Sequence, residues 1–228
     1  MLKIDDLIIY EDNHLLILNK PCGIAVQNDS SKENLYDIVK IFLMKKYNKN
    51  NPAWLGIVHR LDQSVSGVLI FAKNSKSASR LCNQFNSKSI EKNYIAIVSG
   101  EVNDSKLLEN FLVKSDRMSK IVSAKTNNSK SAKLEYSSIH GSKKFSILKI
   151  NLITGYYHQI RCQLAGIRHP VLGDTKYGSD IKTPRGQIFL HCRSIKFLHP
   201  VTKKEIFISA DFSKEWKDFI SKNKLTVE

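Results

Sequence analysis

Residues 58–73, VHRLDQSVSGVLIFAK, place the charged pair Arg60 and Asp62 on a short segment before an apolar run that has the composition of a buried strand. Residues 68–71 are β-rich and follow Gly67, a pattern typical of a strand that begins after a turn. Asp62 therefore lies on a loop that leads into this strand. A buried carboxylate costs several kcal/mol unless a cation or hydrogen bonds compensate it. Arg60 is one candidate partner, and more distant arginines are others.

The composition limits the fold and the partners. The chain has 228 residues and a formal net charge of +15. Because no composition shift or Pro/Ser-rich linker divides it, we expect one domain, residues 1–228, with a large core. Lysines spread over the whole length favour association with polyanions, which weakens as salt rises. A basic, Lys/Asn-rich proteome would give the same charge, so charge alone does not identify RNA as the partner of this protein.

The cysteines and the amino terminus argue against several classes of protein: zinc-ribbon, disulfide-rich and secreted proteins. The cysteines are widely separated and form no CxxC pair, which indicates neither a zinc ribbon nor a disulfide framework: Cys22, Cys82, Cys162 and Cys192. The first residues are acidic where a secretion signal is basic, and no apolar run approaches ~20 residues. We therefore expect a cytoplasmic protein with free thiols, no membrane contact and no metal.

Hydrophobic periodicity predicts many strands with interspersed helices. Helical spacing of apolar residues predicts helices over 34–47, 75–87, 160–167 and 214–222. Strands are predicted within 7–19, 68–71, 93–98, 132–139, 145–153, 188–193, 195–198 and 205–208. Residues 106–118 are ambiguous, and 126–131 form an exposed turn or loop. This order predicts an α+β domain around a mixed, largely antiparallel sheet.

Four motifs, in order, resemble those of the RluA-type family of RNA pseudouridine synthases. HRLDQSVSG (59–67) resembles the family's HRLD signature, which continues with two variable residues and TSG. NKPCG (19–23), KNYIAIVSG (92–100) and TGYYHQIR (154–161) are similar to its NKPxG, KxYxAxVxG and TGRxHQIR motifs. HPVLGD with a following YG, and a later LH, extend the match to roughly positions 10 to 212.

The resemblance implies a fold and a reaction. The fold would be a bent mixed β-sheet flanked by helices and loops, with a central RNA-binding cleft and without the separate small RNA-binding domain that many relatives carry. The reaction would isomerise specific uridines to pseudouridine, with Asp62 as the nucleophile. No atom or electron is lost, so no cofactor is required. Whether Asp62 adds to C1′, adds to C6 or removes a sugar proton stays open.

The motifs also suggest the other site residues. Arg161 would be the second catalytic residue because its planar fork suits a carboxylate, although spacing alone fits a phosphate contact or a strand cap equally well. Tyr94 would be the third, offering its ring to a uracil drawn out of its stack; without the motif it is an ordinary strand tyrosine. Substrate-binding candidates are Arg60, which could fill the gap left by the base, and His59, His158 and Gln159. Phosphate contacts could come from Lys20, Lys92, Lys176 and Arg168.

This sequence departs from the family pattern at four positions. Val65 replaces the usual Thr, Tyr156 stands where Arg is common, Tyr157 where a small hydroxyl residue is common, and Arg168 where Gly is usual. None removes Asp62, Tyr94 or Arg161, so the departures bear on RNA choice. We expect a monomer whose partner is ribosomal or transfer RNA.

Two other readings of the sequence remain. The first is a non-catalytic RNA-binding or ribosome-assembly factor that kept the fold, against which the joint retention of Asp62, Tyr94 and Arg161 argues. The second is a hydrolase or metal enzyme built from scattered polar residues whose spacings match no standard ligand motif: His158, His169, His191 and Asp174.

Overall fold

The computed structural model describes residues 2–27, 33–183 and 186–227. The strands are β1 (Ile8–Glu11), β2 (Leu15–Lys20), β3 (Gly56–Ile57), β4 (Ser66–Ala72), β5 (Glu91–Ser99), β6 (Ser105–Ser115), β7 (Met118–Val122), β8 (Lys130–Gly141), β9 (Phe145–Leu152), β10 (Leu190–Leu198) and β11 (Glu205–Ser209). The helices are α1 (Leu35–Lys46), α2 (Ser75–Asn86), α3 (Gln159–Gly166) and α4 (Lys214–Lys222). The predicted α+β class is confirmed.

The chain forms two compact units. The first comprises residues 1–90 and 193–211, and the second comprises residues 91–192 and 212–228. The prediction of a single domain over residues 1–228 stays a prediction. None of the helices in the described ranges is long and apolar enough to cross a membrane.

The first unit is built on an antiparallel arrangement of β1, β2 and β4. β2 pairs with both β1 and β4, β3 pairs with β4, and β11 pairs with β10. Residues 15–18 of β2 and 68–72 of β4 are wholly buried, which explains why these strands read as continuous apolar runs. The register sets Lys20 opposite Gly67, so the start of the NKPCG motif lies beside the end of the Asp62 loop.

The second unit contains an antiparallel sheet in the order β5-β9-β8-β6-β7. The residues that were ambiguous in the sequence, 106–118, form most of β6 and its turn into β7. On one side a core cluster gathers apolar residues of the sheet, the 171–189 segment and the C-terminal region: Ile95, Ile97, Ile147, Leu172, Phe189, Trp216 and Leu225. A second cluster packs Cys162 of α3 against Leu112 and Ala132. Helix α3 is thereby fixed against β6 and β8.

Candidate active site

Asp62 lies in the first unit, on the loop of residues 58–65 that joins β3 to β4. The loop is anchored by three buried apolar side chains, Val58, Leu61 and Val65, while Asp62 itself is half-buried. The Val65 amide donates to the Asp62 carbonyl at 3.1 Å, which closes a turn that begins at Asp62. Val65, one of the departures from the family pattern, therefore serves as an apolar anchor.

Lys20 lies in the same unit and is wholly buried. Its Nζ donates to the carbonyls of Pro21 and Ile24, both at 2.8 Å, and to that of Gln63 at 3.4 Å. Burial lowers the pKa of Lys20 to about 7, while Cys22 and Asp62 raise it. Phosphate contact by Lys20 is not supported, and a solvated lysine, the usual alternative, is contradicted, because its ammonium group is buried and donates to three backbone carbonyls. Lys92, predicted in the same way, is also buried.

Two further hydrogen bonds join the NKPCG turn to the Asp62 loop. The Gly23 amide donates to the Gln63 carbonyl at 2.8 Å, and Gln63 Nε2 donates to the Gly23 carbonyl at 3.0 Å. Gly23 has φ of +89°, a left-handed conformation that favours glycine. Together with the bond from Lys20, these bonds fix Gln63, the residue directly after Asp62. The NKPCG turn and the HRLDQSVSG loop are therefore packed together and hydrogen-bonded.

His59 and Arg60 precede Asp62 but differ in exposure. His59 Nε2 accepts the Ile70 amide at 2.9 Å, and its ring stacks on Phe85 with centroids 4.8 Å apart. Through these two contacts His59 joins the Asp62 loop to β4 and α2. The side chain of Arg60 is exposed. Their roles in substrate binding stay predictions.

Arg161 lies in the second unit, on α3, and its side chain is only 6% exposed. Its Nε donates to Asp174 Oδ2 at 2.6 Å and its Nη2 donates to Asp174 Oδ1 at 2.8 Å. This is the bidentate geometry in which guanidinium and carboxylate are planar partners. Two nitrogens of the Arg161 guanidinium are thus held by a carboxylate from its own unit.

The turn of residues 173–179 supplies that carboxylate. Gly173 has φ of +87°, and a Cβ there would lie 2.5 Å from the Gln187 carbonyl oxygen. The Asp174 carbonyl accepts the Tyr177 and Ser179 amides at 3.0 and 3.1 Å. Only glycine fits at position 173, and the turn that it permits directs Asp174 to Arg161.

His158 and Gln159 lie at the start of α3 and make several internal contacts. His158 Nδ1 is 3.1 Å from the Tyr177 hydroxyl, and its ring stacks on Tyr157 at 3.9 Å. Gln159 Oε1 accepts the Thr154 hydroxyl at 2.8 Å, and its Nε2 donates to the Lys133 carbonyl at 3.1 Å. These contacts fix the beginning of the helix, and the substrate-binding roles of both residues stay predictions.

Tyr94 lies in the second unit, on β5, opposite Ile150 of β9. Its side chain is largely buried. The residues of the proposed metal or hydrolase site serve other purposes: Asp174 pairs with Arg161, His169 Nδ1 is 2.9 Å from the Ser99 carbonyl, and His191 packs on Phe212 and Trp216. Within the described ranges, no three His, Cys, Asp or Glu side chains gather as a metal site.

Comparison with known proteins decides the family. Residues 14–166 match the family model described as RNA pseudouridylate synthase. The chain belongs to the RNA pseudouridylate synthase family. It is 32% identical to ribosomal large subunit pseudouridine synthase C of Vibrio vulnificus, over 93% of this chain and 68% of that protein. It is 31% identical to tRNA pseudouridine synthase C of Haemophilus ducreyi, over 92% of each chain.

The fold agrees with this family. The structure of human RNA pseudouridylate synthase domain containing 4 superimposes with a TM-score of 0.83 at 21% identity, covering 98% of this chain and 95% of that one. The predicted pseudouridine synthase fold and isomerase class are confirmed. The relatives give no support to the non-catalytic alternative.

The observed partners of two named candidates, Lys20 and Asp174, were not predicted from the sequence of this pseudouridine synthase. Lys20 was visible as part of NKPCG, and Asp174 as part of HPVLGD, but spacing gave neither a role next to Asp62 or Arg161. Lysine and aspartate are usually solvent-exposed, so their burial could not be expected from composition. Gln63, one of the partners of Lys20, lies 43 residues away in the chain, and Arg161, the partner of Asp174, lies 13 residues away.

The buried Lys20 predicts a pH-dependent stability. In the unfolded chain a lysine keeps its proton up to about pH 10.5, whereas folded Lys20 releases it above about pH 7. The unfolded state therefore binds more protons between these values, and stability should rise with pH by up to about 1.4 kcal/mol per unit. The measurement is the free energy of unfolding of the wild type minus that of Lys20→Met, from urea titrations between pH 6.5 and about 9.5. A difference that stays constant over this range contradicts the prediction.

Proposed function

We propose that this enzyme converts specific uridines of a structured RNA to pseudouridine, with Asp62 as the nucleophile. The family assignment supports the reaction. The choice of Asp62 as the nucleophile is supported by its anchored loop, which is joined through Gln63 to the buried Lys20 and to Gly23. A nucleophile needs such a fixed position. Arg161 and Tyr94 are proposed to serve the same reaction, on the strength of their motifs.

The proposed reaction balances without a cofactor. The bond from uracil N1 to C1′ breaks, the detached base turns, and a bond from C5 to C1′ forms. C5 loses a proton and N1 gains one, so the product is an isomer of the substrate. The protein needs to supply a nucleophile, hold the detached base and move a proton.

The target atoms are inaccessible while the uracil is stacked, so the nucleotide should be flipped out of the RNA. The exposed Arg60, two residues before Asp62, is proposed to occupy the gap or brace the RNA backbone. The net charge of +15 supports binding through phosphates, which should weaken as salt rises.

The relatives suggest the class of RNA. One is named as an enzyme of the ribosomal large subunit and another as an enzyme of tRNA. We therefore propose ribosomal or transfer RNA as the substrate, in the cytoplasm, with the enzyme acting as a monomer.

The decisive experiment maps pseudouridines in total RNA from cells with and without this protein. Purified protein is then incubated with unmodified transcripts of the RNA in which a site disappears. We expect the same uridine to be modified in cells that contain the protein and in the purified reaction, and the transcript that carries it is called the mapped transcript below. Binding to the transcripts without any new pseudouridine would refute the proposal and favour an RNA-binding role.

Tyr94 is proposed to stack on the flipped base through its ring. Tyr94→Phe should then retain most activity, whereas Tyr94→Ala should lose about 1–3 kcal/mol of transition-state stabilisation. Turnover and KM of both variants on the mapped transcript provide the measurement, with Tyr36→Phe, a tyrosine of α1, as a control for the loss of a hydroxyl. Equal losses in the two Tyr94 variants would assign the role to the hydroxyl.

A further inference from the structure

Tyr177 contacts Arg161 on one side and β7 on the other, all within the second unit. The Arg161 guanidinium lies over the Tyr177 ring, 5.2 Å from its centroid. The Tyr177 hydroxyl accepts the Ser119 amide at 2.7 Å and lies 3.1 Å from His158 Nδ1. Tyr177 follows Asp174 in the same short turn, so one segment supplies both the carboxylate and the ring that contact the guanidinium.

Ser119 joins the hairpin of β6 and β7 to the start of α3. Its hydroxyl donates to the Tyr157 carbonyl, and its own carbonyl lies 3.2 Å from Cys162 Sγ. With the amide bonded to Tyr177, three polar groups of this one residue have partners beside Arg161. This part of β7 is therefore fixed relative to α3.

The two contacts restrict different motions of the guanidinium. The bidentate bonds to Asp174 define two points in the guanidinium plane, and by themselves these two bonds restrain tilt about the line through the points only weakly. The Tyr177 ring, over which the guanidinium lies, opposes that tilt, and cation–π attraction favours the contact. The Tyr177 ring is held in turn by the bond from its hydroxyl to the Ser119 amide. Burial raises the pKa of Tyr177 to about 12, so the phenol stays neutral at physiological pH.

We propose that Tyr177 is a positioning residue for Arg161, which fixes the tilt of the guanidinium and ties it to the hairpin of β6 and β7. The inference rests on the proposed role of Arg161 in uridine isomerisation. The hairpin carries the exposed Lys114, Arg117 and Lys120 on or beside its turn. Displacement of this hairpin would therefore be passed to Arg161 through Ser119 and Tyr177.

The test compares two tyrosines of the same unit. Tyr177→Phe keeps the ring but removes the hydroxyl, and Tyr177→Leu removes both. Tyr136→Phe is the matched control, because the hydroxyl of Tyr136 is also hydrogen-bonded, to Asp104 at 2.8 Å, and its pKa is also raised to about 12. Each change is made in the full chain, alone and together with Arg161→Lys, and kcat, KM for the mapped transcript and Tm are measured.

We expect Tyr177→Phe to lower kcat about tenfold and Tyr177→Leu about 100-fold, because small displacements of a catalytic group are costly. KM should change less than kcat, and the Tm of Tyr177→Phe should match that of Tyr136→Phe. In the Arg161→Lys background both Tyr177 changes should lose most of their effect, since the group that they position is absent.

Two results overturn the inference and are distinguishable. If Arg161→Lys is slow but Tyr177→Phe matches Tyr136→Phe in kcat, Tyr177 does not position Arg161, and the proposed function stands. If Arg161→Lys turns over at the wild-type rate, the proposed role of Arg161 fails and the inference fails with it.

Discussion

Asp62→Asn should reduce uridine isomerisation by on the order of 10³-fold or more, the scale seen when a nucleophile is removed. The amide has nearly the shape of the carboxylate but cannot attack the sugar or the base. The loop of residues 58–65 should keep its conformation, because its anchors are Val58, Leu61 and Val65 and the turn bond comes from the main chain. Single-turnover formation of pseudouridine in the mapped transcript measures the loss.

Folding and RNA binding separate this effect from a general defect. Asp62→Asn should bind the transcript with nearly the wild-type Kd, whereas binding should fall with salt in both proteins. Asp211→Asn, at an exposed carboxylate in the same unit, provides a control for the loss of one negative charge. Turnover by Asp62→Asn close to that of the wild type would remove Asp62 from the mechanism.

The strands and helices could be predicted where periodicity was strong. Residues 132–139 and 145–153 alternate along their length, and they form the paired strands β8 and β9. Residues 106–118 resisted prediction because β6 is exposed over much of its length, with Leu107 half-exposed among charged side chains. Its strand conformation comes from pairing with β7 and β8, which a local pattern does not report.

In the candidate site, too, residue types could be predicted from local sequence, whereas their contacts could not. Motifs suggested Asp62, Tyr94 and Arg161 as site residues, because a resemblance carries residue types and spacing. They did not reveal that Lys20 is surrounded by carbonyls, or that Arg161 pairs with Asp174, because both arrangements depend on tertiary contacts. Arg168 illustrates a further limit: its φ of +68° explains why Gly is usual at this position, but only coordinates show the angle.

Asp174→Asn should destabilise the protein by about 3–5 kcal/mol, the cost of removing one partner of a buried ion pair. The side chains of Arg161 and Asp174 are 6% and 1% exposed, so water cannot replace the lost carboxylate. An asparagine offers a single acceptor oxygen in place of two and leaves the guanidinium charge uncompensated. Urea unfolding of the variant measures the loss, with Asp211→Asn again as the exposed control.

A double variant separates the structural role of the pair from its chemical role. Arg161→Met combined with Asp174→Asn removes the unpaired charge, so it should be more stable than Asp174→Asn alone by a large part of that loss. Isomerisation by the double variant should nevertheless be absent, because methionine cannot orient a carboxylate or a phosphate. A double variant as unstable as Asp174→Asn would mean that the cost arises from the turn of residues 173–179 and not from the charge. If the double variant instead recovered activity along with stability, Arg161 would be part of the scaffold, and Asp62 would have to act without it.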